Sequence, residues 1–499
     1  MGLDPVLRYT VYRPPMTKSS EKESREADFT SGGERNGAFD LLIIGSGGAG
    51  VAAAIQGAEL GARVGIVEAG MLGGTCVNVG CIPSKSLIEA AAHYHGARRG
   101  FPGIAPSAPS VDWGAVIRQK NEVVAELRRT KYAAVLASYP EITVVSGRAR
   151  LLGGERVRVG GSEYRAPKIV IATGTSPALP PIPGLIEARP LDSTTAMELG
   201  ALPRSLLVLG GSAVGLELGQ MFARFGTKVI VLELMPRLLP NEDEAISEGL
   251  RAHLVAEGLE IHTGATATRV DRDGRDVVAS VRRGNTEEVF RAEEILVATG
   301  RQPNTRDMGL DDAGVAVSEK GFVRVDATLR TANPDVFAAG DVIGGPGYVY
   351  VAAAGGRIAA ENALTGKERE LDLSVVPNVT FTSPQVGSVG LTETRARALG
   401  YEVVVSTLPM GHVPRALVSR DAGGLVKIVA EARSGMLLGV HALAPHAGEL
   451  MGEATLAIRH GLAARDLTET LHAYLTWGES IKLAAQAFTR DVTKLSCCA

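Results

Sequence analysis

Two cysteines lie five residues apart in the segment 73–86, which reads GGTCVNVGCIPSKS. We expect Cys76 and Cys81 on one helix face, although residues five apart are not ideal facing neighbours. A first turn distorted at Gly80 would bring the sulfurs within disulfide distance, with Cβ atoms about 3.5–4.5 Å apart. Because free cysteines are common in protein cores, a buried structural pair is the alternative. The residues upstream of the pair favour redox chemistry.

Those upstream residues form a dinucleotide-binding pattern. A short apolar strand at 39–44 runs into Gly45, Gly47 and Gly50 of the turn GSGGAG, and an Ala-rich helix follows. The first glycine permits the tight turn, the second lets the backbone approach a pyrophosphate, and the third lets helix and strand pack closely. A second strand ends at Glu68, where a carboxylate is suited to accept from the ribose hydroxyls.

A second copy of this unit follows later in the chain. Gly210 and Gly215 flank the turn GGSAVG, and the next strand ends at Glu233, at the same interval that separates the first glycine and the acid of the first copy. Ser212 replaces the middle glycine, which predicts a looser approach to the pyrophosphate. Glu233 would repel a 2′-phosphate, whereas Arg237 could attract one, so the pattern leaves NADPH and NADH open.

Taken together, these motifs resemble the flavin-dependent pyridine nucleotide-disulfide oxidoreductases. The resemblance implies FAD at the first nucleotide site and a redox disulfide between Cys76 and Cys81 beside the flavin ring. Cys81 would be the thiolate in charge-transfer contact with the flavin, and Cys76 the interchange thiol that meets substrate. Lys85 would lie near flavin N5 and pair with Glu217, on the helix after the second glycine turn.

The same resemblance implies an α/β fold with two Rossmann-like three-layer domains, one for FAD and one for NAD(P), and a C-terminal α+β dimerisation domain. Asp341 would accept a hydrogen bond from the flavin ribityl chain at a second helix N-terminus. The other cofactor-binding positions that it implies are Thr75, Thr173, Gly174, Gly300 and Gly340. The predicted segments are a loosely attached tail (1–38), the FAD domain (39–184 and 304–371), the NAD(P) domain (185–303) and the dimerisation domain (372–499).

The composition excludes several classes of protein. The chain has 499 residues and a net charge of −3, without the basic surface that nucleic-acid binding needs. No run approaches the roughly 20 apolar residues that span a membrane. Residues 1–38 lack the charged, apolar and small-residue order of a signal peptide, so we expect a cytoplasmic protein.

The predicted dimerisation domain carries an informative substitution. Disulfide reductases of this family donate a histidine across the dimer as a general acid, five residues before a glutamate. Here the residue five before Glu479 is Tyr474. A phenol, whose pKa is ordinarily about 10, is a poor replacement for an imidazole, whose pKa is ordinarily about 6.5. His472 lies two residues early, and we interpret it as an ordinary surface or interface histidine.

Tyr474 and the C-terminal pair Cys497 and Cys498 resemble the mercuric reductase branch of the family. This resemblance implies a homodimer in which the tail thiols take Hg(II) from small cellular thiols. The tail would pass the ion to Cys76 and Cys81 of the partner subunit, where NAD(P)H and FAD supply the electrons that release Hg(0). Two thiolates suit such a soft cation.

The chain departs from that branch in two ways. No cysteine precedes Cys76, so we expect the N-terminal metal-binding domain of many mercuric reductases to be absent. Leu191 stands where the branch often has a second active-site tyrosine. Two alternatives remain open, namely a disulfide reductase of the dihydrolipoamide or glutathione type and a soft-metal-binding flavoprotein without turnover.

Overall fold

The computed structural model describes residues 38–494. The predicted tail at 1–38, except for its last residue, and the pair Cys497 and Cys498 lie outside that range. The first nucleotide-binding unit comprises β1 (Leu41–Ile44), α1 (Gly48–Glu59) and β2 (Val64–Glu68), as the glycine pattern predicts. It continues with α2 (Gly74–Val79), α3 (Cys81–Arg99), α4 (Trp113–Leu127), α5 (Ala134–Ala137), β3 (Ile142–Ser146), β4 (Ala149–Leu151), β5 (Arg156–Val159), β6 (Ser162–Arg165), β7 (Lys168–Ile171) and β8 (Thr175–Pro177).

The second unit repeats this order. Its elements are α6 (Ser193–Ala196), β9 (Ser205–Leu209), α7 (Ala213–Arg224), β10 (Lys228–Glu233), α8 (Glu244–Ala256), β11 (Glu260–Thr263), β12 (Ala265–Asp273), β13 (Asp276–Arg283), β14 (Thr286–Ala292), β15 (Glu294–Val297) and β16 (Arg301–Pro303). The internal repeat is therefore present in the structure, because β9, α7 and β10 match β1, α1 and β2.

The chain then returns to the first sheet and ends in an antiparallel domain. These elements are β17 (Val336–Ala338), α9 (Val349–Thr365), β18 (Asn378–Thr380), β19 (Gln385–Gly390), α10 (Glu393–Ala398), β20 (Val403–Pro409), α11 (Pro414–Val418), β21 (Leu425–Glu431), β22 (Leu437–Ala444), α12 (Ala447–Arg459), α13 (Ala464–Glu469) and α14 (Glu479–Gln486).

Three main sheets organise the molecule. The first is parallel in the order β17-β7-β1-β2-β3, and the second is parallel in the order β11-β10-β9-β15. Their central strands, such as β1 and β9, are apolar and buried, as expected for parallel strands covered by helices on both faces. The third is antiparallel, in the order β18-β19-β22-β21-β20. The predicted fold class is confirmed, while the domain boundaries stay predictions.

The helical region that begins with α4 is irregular. A π-helical segment, Arg128–Ala133, separates α4 from α5. Within residues 38–494, no helix is both long and apolar enough to cross a membrane.

A buried charge network joins the second unit to the antiparallel domain. Asp243 caps α8, and its side chain accepts from Nζ of Lys427 on β21 at 3.0 Å. The same ammonium donates to Glu393 at 2.8 Å. Burial raises the pKa of Asp243, but the hydrogen bond and charge of Lys427 outweigh it and leave that pKa lowered. The network therefore holds three charged groups of these elements in one arrangement.

Candidate redox-active site

The first glycine turn is shaped by close backbone contacts. Gly45 has φ of +106°, and a Cβ at Gly50 would lie 1.8 Å from the carbonyl oxygen of Gly45. Only glycine fits at position 50. Glu68 closes the turn from the other side, because its carboxylate accepts from the backbone N–H of Ser46 at 3.1 Å and of Gly70 at 2.6 Å.

A cleft of about 520 Å³ runs along this turn and continues into a second cavity of about 370 Å³. Their shared walls include Gly47, Thr75 and Gly174, which the sequence predicts as cofactor-binding. Glu68 and Thr173 line the first cavity, at the end where a ribose would lie. A narrow cleft with a glycine turn, backbone N–H groups and an acid at one end suits a dinucleotide. The residues present therefore fit FAD.

The predicted thiol pair lies in the second cavity. A break at Gly80, with φ of −127° and ψ of −110°, separates α2 with Cys76 from α3 with Cys81. The prediction of one helix face is therefore wrong, although the predicted distortion at Gly80 is present. Both residues are free thiols, and a hydrogen bond joins them.

That hydrogen bond makes the two sulfurs unequal. Together with burial it raises the pKa of Cys76. The bond from Cys76 lowers the pKa of Cys81 to about 7, with the positive charge of Lys85 acting in the same direction against burial. Cys81 is thus the thiolate of the pair and Cys76 the protonated donor. Their predicted roles, charge-transfer thiolate for Cys81 and interchange thiol for Cys76, stay predictions.

A charged pair lies behind the thiols. Lys85 on α3 donates from Nζ to Glu217 on α7 at 2.7 Å, so the predicted pairing is present. The other carboxylate oxygen accepts from the backbone N–H of Phe381 at 2.8 Å, and the Lys85 ammonium lies 4.4 Å from the centre of the Phe381 ring. The cation is therefore held from two sides at the wall of the second cavity.

Sequence reasoning missed a link between the two nucleotide sites. Arg301 donates from Nε to Oγ1 of Thr175 at 2.7 Å and from Nη2 to its carbonyl oxygen at 2.6 Å. The Thr175 hydroxyl in turn donates to Asp341 at 3.1 Å. Asp341 lies in the first turn of a short 3-10 helix, Gly340–Ile343, ahead of α9, and its hydrogen bond to the ribityl chain stays a prediction. The signal was available, because the sequence Ala-Thr-Gly occurs at 172–174 and again at 298–300, and Thr175 and Arg301 directly follow these two ATG turns.

The second glycine turn borders a further cleft of about 740 Å³. Gly210, Ser212, Glu233 and Gly300 line it, whereas a Cβ at Gly215 would lie 2.0 Å from the Gly210 carbonyl oxygen, which makes Gly215 a packing residue. The Glu233 carboxylate is buried, and its two oxygens accept hydrogen bonds from the backbone N–H groups of Gly211 and Met235. This cleft suits a nicotinamide coenzyme.

Three residues, His472, Tyr474 and Leu191, bear on the expected general acid and its surroundings. Nε2 of His472 lies 2.7 Å from a carboxylate oxygen of Glu453, and its Nδ1 lies 3.0 Å from the carbonyl oxygen of Thr470. His472 is thereby held within its own subunit. Tyr474 is exposed, and Leu191 packs partly buried against the core around α7. Within residues 38–494, no group of three or more His, Cys, Asp or Glu side chains is placed to hold a metal ion.

Comparisons with known proteins agree with this arrangement. The family model described as pyridine nucleotide-disulphide oxidoreductase matches residues 39–356, and that of the corresponding dimerisation domain matches residues 376–485. The chain belongs to the pyridine nucleotide-disulphide oxidoreductase family. Membership confirms FAD and a nicotinamide coenzyme as its cofactors.

Individual members of the family are also similar over most of their length. The mercuric reductase of Streptomyces lividans is 46% identical over 92% of this chain and 98% of its own length. That of Bacillus cereus is 42% identical over 98% of this chain and 78% of its own. A dihydrolipoyl dehydrogenase of Thermus scotoductus is 41% identical over 91% and 98%. The flavoprotein disulfide reductase RclA of Escherichia coli superposes with a TM-score of 0.81 at 33% identity, over 90% of this chain and 99% of its own.

Proposed function

We propose that this chain reduces Hg(II) to Hg(0) with two electrons from a nicotinamide coenzyme, through FAD and the thiols of Cys76 and Cys81. The observation that carries the proposal is the unequal thiol pair at the flavin end of the cleft, which offers a thiolate to a soft cation. The reaction balances as one reduced coenzyme and one Hg(II) giving oxidised coenzyme, a proton and Hg(0).

The protein groups position and tune this transfer. FAD, when bound, relays the two electrons between the coenzyme and the thiol side. Lys85 places a positive charge at the flavin end, and Glu217 fixes that charge by a hydrogen bond of 2.7 Å. A fixed cation there favours negative charge that develops during reduction.

Metal reduction needs no acid to protonate a leaving sulfur, which separates it from disulfide reduction. Tyr474 occupies the position at which disulfide reductases of this family have the general-acid histidine. The nearby His472 has both ring nitrogens against acceptors of its own subunit, so it is poorly placed to serve a partner. These features disfavour the dihydrolipoamide- or glutathione-type alternative, and the paired Lys85 and Glu217 disfavour a flavoprotein without turnover.

The delivery route belongs to the same proposal. The matched dimerisation domain supports a homodimer. In it, Cys497 and Cys498 of one subunit take Hg(II) from small thiols and pass it to the Cys76 and Cys81 pair of the other, beneath Tyr474. The cytoplasmic location stays a prediction from the sequence.

Hg(II)-dependent oxidation of NADH and NADPH, with excess small thiol, tests the function. We expect metal-dependent oxidation by the wild type and a large loss in Cys81→Ser. The double variant Cys497→Ala/Cys498→Ala should lose turnover under excess thiol if the tail delivers the ion. Turnover of lipoamide or oxidised glutathione without any metal-dependent oxidation would contradict the proposal, and tight Hg(II) binding without oxidation would support the non-catalytic alternative.

We also propose NADH as the preferred coenzyme. The Glu233 carboxylate is fixed by the backbone N–H groups of Gly211 at 2.5 Å and Met235 at 2.6 Å. Arg237, the candidate phosphate ligand, instead contacts the carbonyl oxygen of Pro240 at 3.4 Å and Glu244 at 3.7 Å. A fixed anion at the ribose end suits two free hydroxyls and repels a 2′-phosphate.

A further inference from the structure

The π-helical segment Arg128–Ala133 faces the redox helix α2. Such segments are rare and are frequent at functional sites. This one directs two side chains, Arg128 and Tyr132, toward residues 71–78, which lead into and form α2.

Arg128 orients an amide that holds the start of α2. Its Nη1 lies 3.4 Å from Oδ1 of Asn78 and 3.2 Å from Sδ of Met71. Because the Asn78 oxygen faces the guanidinium, its Nδ2 is directed to the carbonyl oxygens of Leu72 and Gly74, at 2.9 Å each. The guanidinium therefore fixes the side chain that ties the turn before α2 to the body of that helix.

Tyr132 packs on the same turn. Gly73 precedes α2 with φ of +100°, and a Cβ there would lie 3.3 Å from Cγ and Cδ1 of the Tyr132 ring. A Cβ at the next residue, Gly74, would lie 2.5 Å from Cα of Gly47. The turn is thus pressed between the tyrosine ring on one side and the FAD glycine turn on the other. A shift of the ring would be transmitted to Gly73 and Gly74.

The redox helix depends on such contacts for its position. It has six residues, begins without a side-chain cap and ends at the break at Gly80. A helix this short is not stable by itself in water. Burial raises the pKa of the Tyr132 phenol, and the nearby Cys76 and Cys81 raise it further, so the ring lies close to the thiol pair.

We propose that the π-helical segment is a clamp on α2, and that Arg128 and Tyr132 are positioning residues that set the place of Cys76 and, through the hydrogen bond between the two sulfurs, the contact of Cys81 with the flavin. This inference rests on the thiol and flavin arrangement of the proposed function. It does not depend on which substrate the thiols meet.

The test uses the FAD-loaded enzyme with Arg128→Met and Tyr132→Leu. Arg129→Met is the matched control, because Arg129 is the next residue, is exposed and pairs with Glu126, three residues earlier, at 2.6 Å. The readout is the long-wavelength charge-transfer absorbance after reduction by two electrons. NADH oxidation by ferricyanide is measured beside it, because ferricyanide takes electrons from the flavin without the thiols.

We expect both clamp variants to lose at least about half of the charge-transfer absorbance, because a shift of about 0.5 Å already spoils a functional geometry. FAD content and ferricyanide turnover should match the Arg129→Met control. Tyr132→Phe keeps the ring on Gly73 and should retain the absorbance.

Three results would overturn the inference. The first is full absorbance in both clamp variants. The second is a parallel loss of FAD or of ferricyanide turnover, which would indicate general destabilisation. The third is an equal loss in Tyr132→Phe, which would contradict the packing argument. If the absorbance falls as expected but the wild type shows no Hg(II)-dependent oxidation, the clamp stands and the proposed function fails.

Discussion

Replacing Glu233 by glutamine should change the coenzyme preference. A 2′-phosphate bound beside the carboxylate would lie about 5 Å from it, where each unit of phosphate charge is repelled by about 3 kcal/mol at an effective dielectric constant of about 20. That energy corresponds to about a hundredfold in kcat/KM. Because a 2′-phosphate carries more than one unit of charge, we expect Glu233→Gln to raise kcat/KM for NADPH at least about a hundredfold.

The same substitution should lower kcat/KM for NADH. A hydrogen bond to a charged acceptor contributes about 1 kcal/mol more than one to a neutral acceptor, so kcat/KM for NADH should fall about five- to tenfold. The assay is steady-state oxidation of each coenzyme with ferricyanide, which makes the result independent of the metal.

Glu244→Gln is the control for this experiment. It removes the partner of Arg237 at 3.7 Å but leaves Glu233 intact. If Glu244→Gln raised NADPH use as much as Glu233→Gln, Arg237 would be the determinant. A wild type that prefers NADPH, or a Glu233→Gln variant that loses both coenzymes equally, would refute the reasoning.

Three further predictions concern the thiols, the buried charges and the glycine turn. Because the pKa of Cys81 is lowered to about 7, its alkylation rate in the reduced enzyme should rise through pH 7, and Cys76→Ala, which removes the donor of its hydrogen bond, should move that rise to higher pH. Lys427→Met leaves Asp243 buried without its cation and should lower the free energy of unfolding by about 3–5 kcal/mol at neutral pH in urea denaturation. Because the pKa of Asp243 is lowered in the folded state, this difference should be present above its unfolded pKa and shrink as the pH falls through the folded value. Gly50→Ala should abolish FAD content, measured by absorbance of the purified protein, and retained flavin would contradict the packing described for that turn.

The repeated nucleotide-binding units were predictable because their constraints are local. A strand, three small residues and a terminal acid fix the turn, so Gly45, Gly50, Glu68 and Glu233 take the places that their spacing predicts. The pairing of Lys85 and Glu217 was predictable only through the resemblance, since the residues are far apart in the chain. Their roles in catalysis, like those of Tyr474 and the tail cysteines, stay predictions.

Long-range contacts with no periodic pattern were not predictable. The π-helical segment interrupts a sequence with ordinary helical spacing, and nothing in its composition marks Arg128–Ala133. The partner of His472 is Glu453 on α12, whereas His472 itself lies in the connection between α13 and α14. The cysteine segment is split into α2 and α3 by the backbone at Gly80, which has ψ of −110°. The spacing of the cysteines does not determine that angle.

The short ribbon of β8 and β16 joins equivalent positions of the two nucleotide-binding copies, since each strand follows an ATG turn. A duplication that places its two copies in contact through their matching strands leaves the remainder of each copy free to diverge. Coenzyme choice can therefore be redesigned around Glu233 without altering the flavin copy.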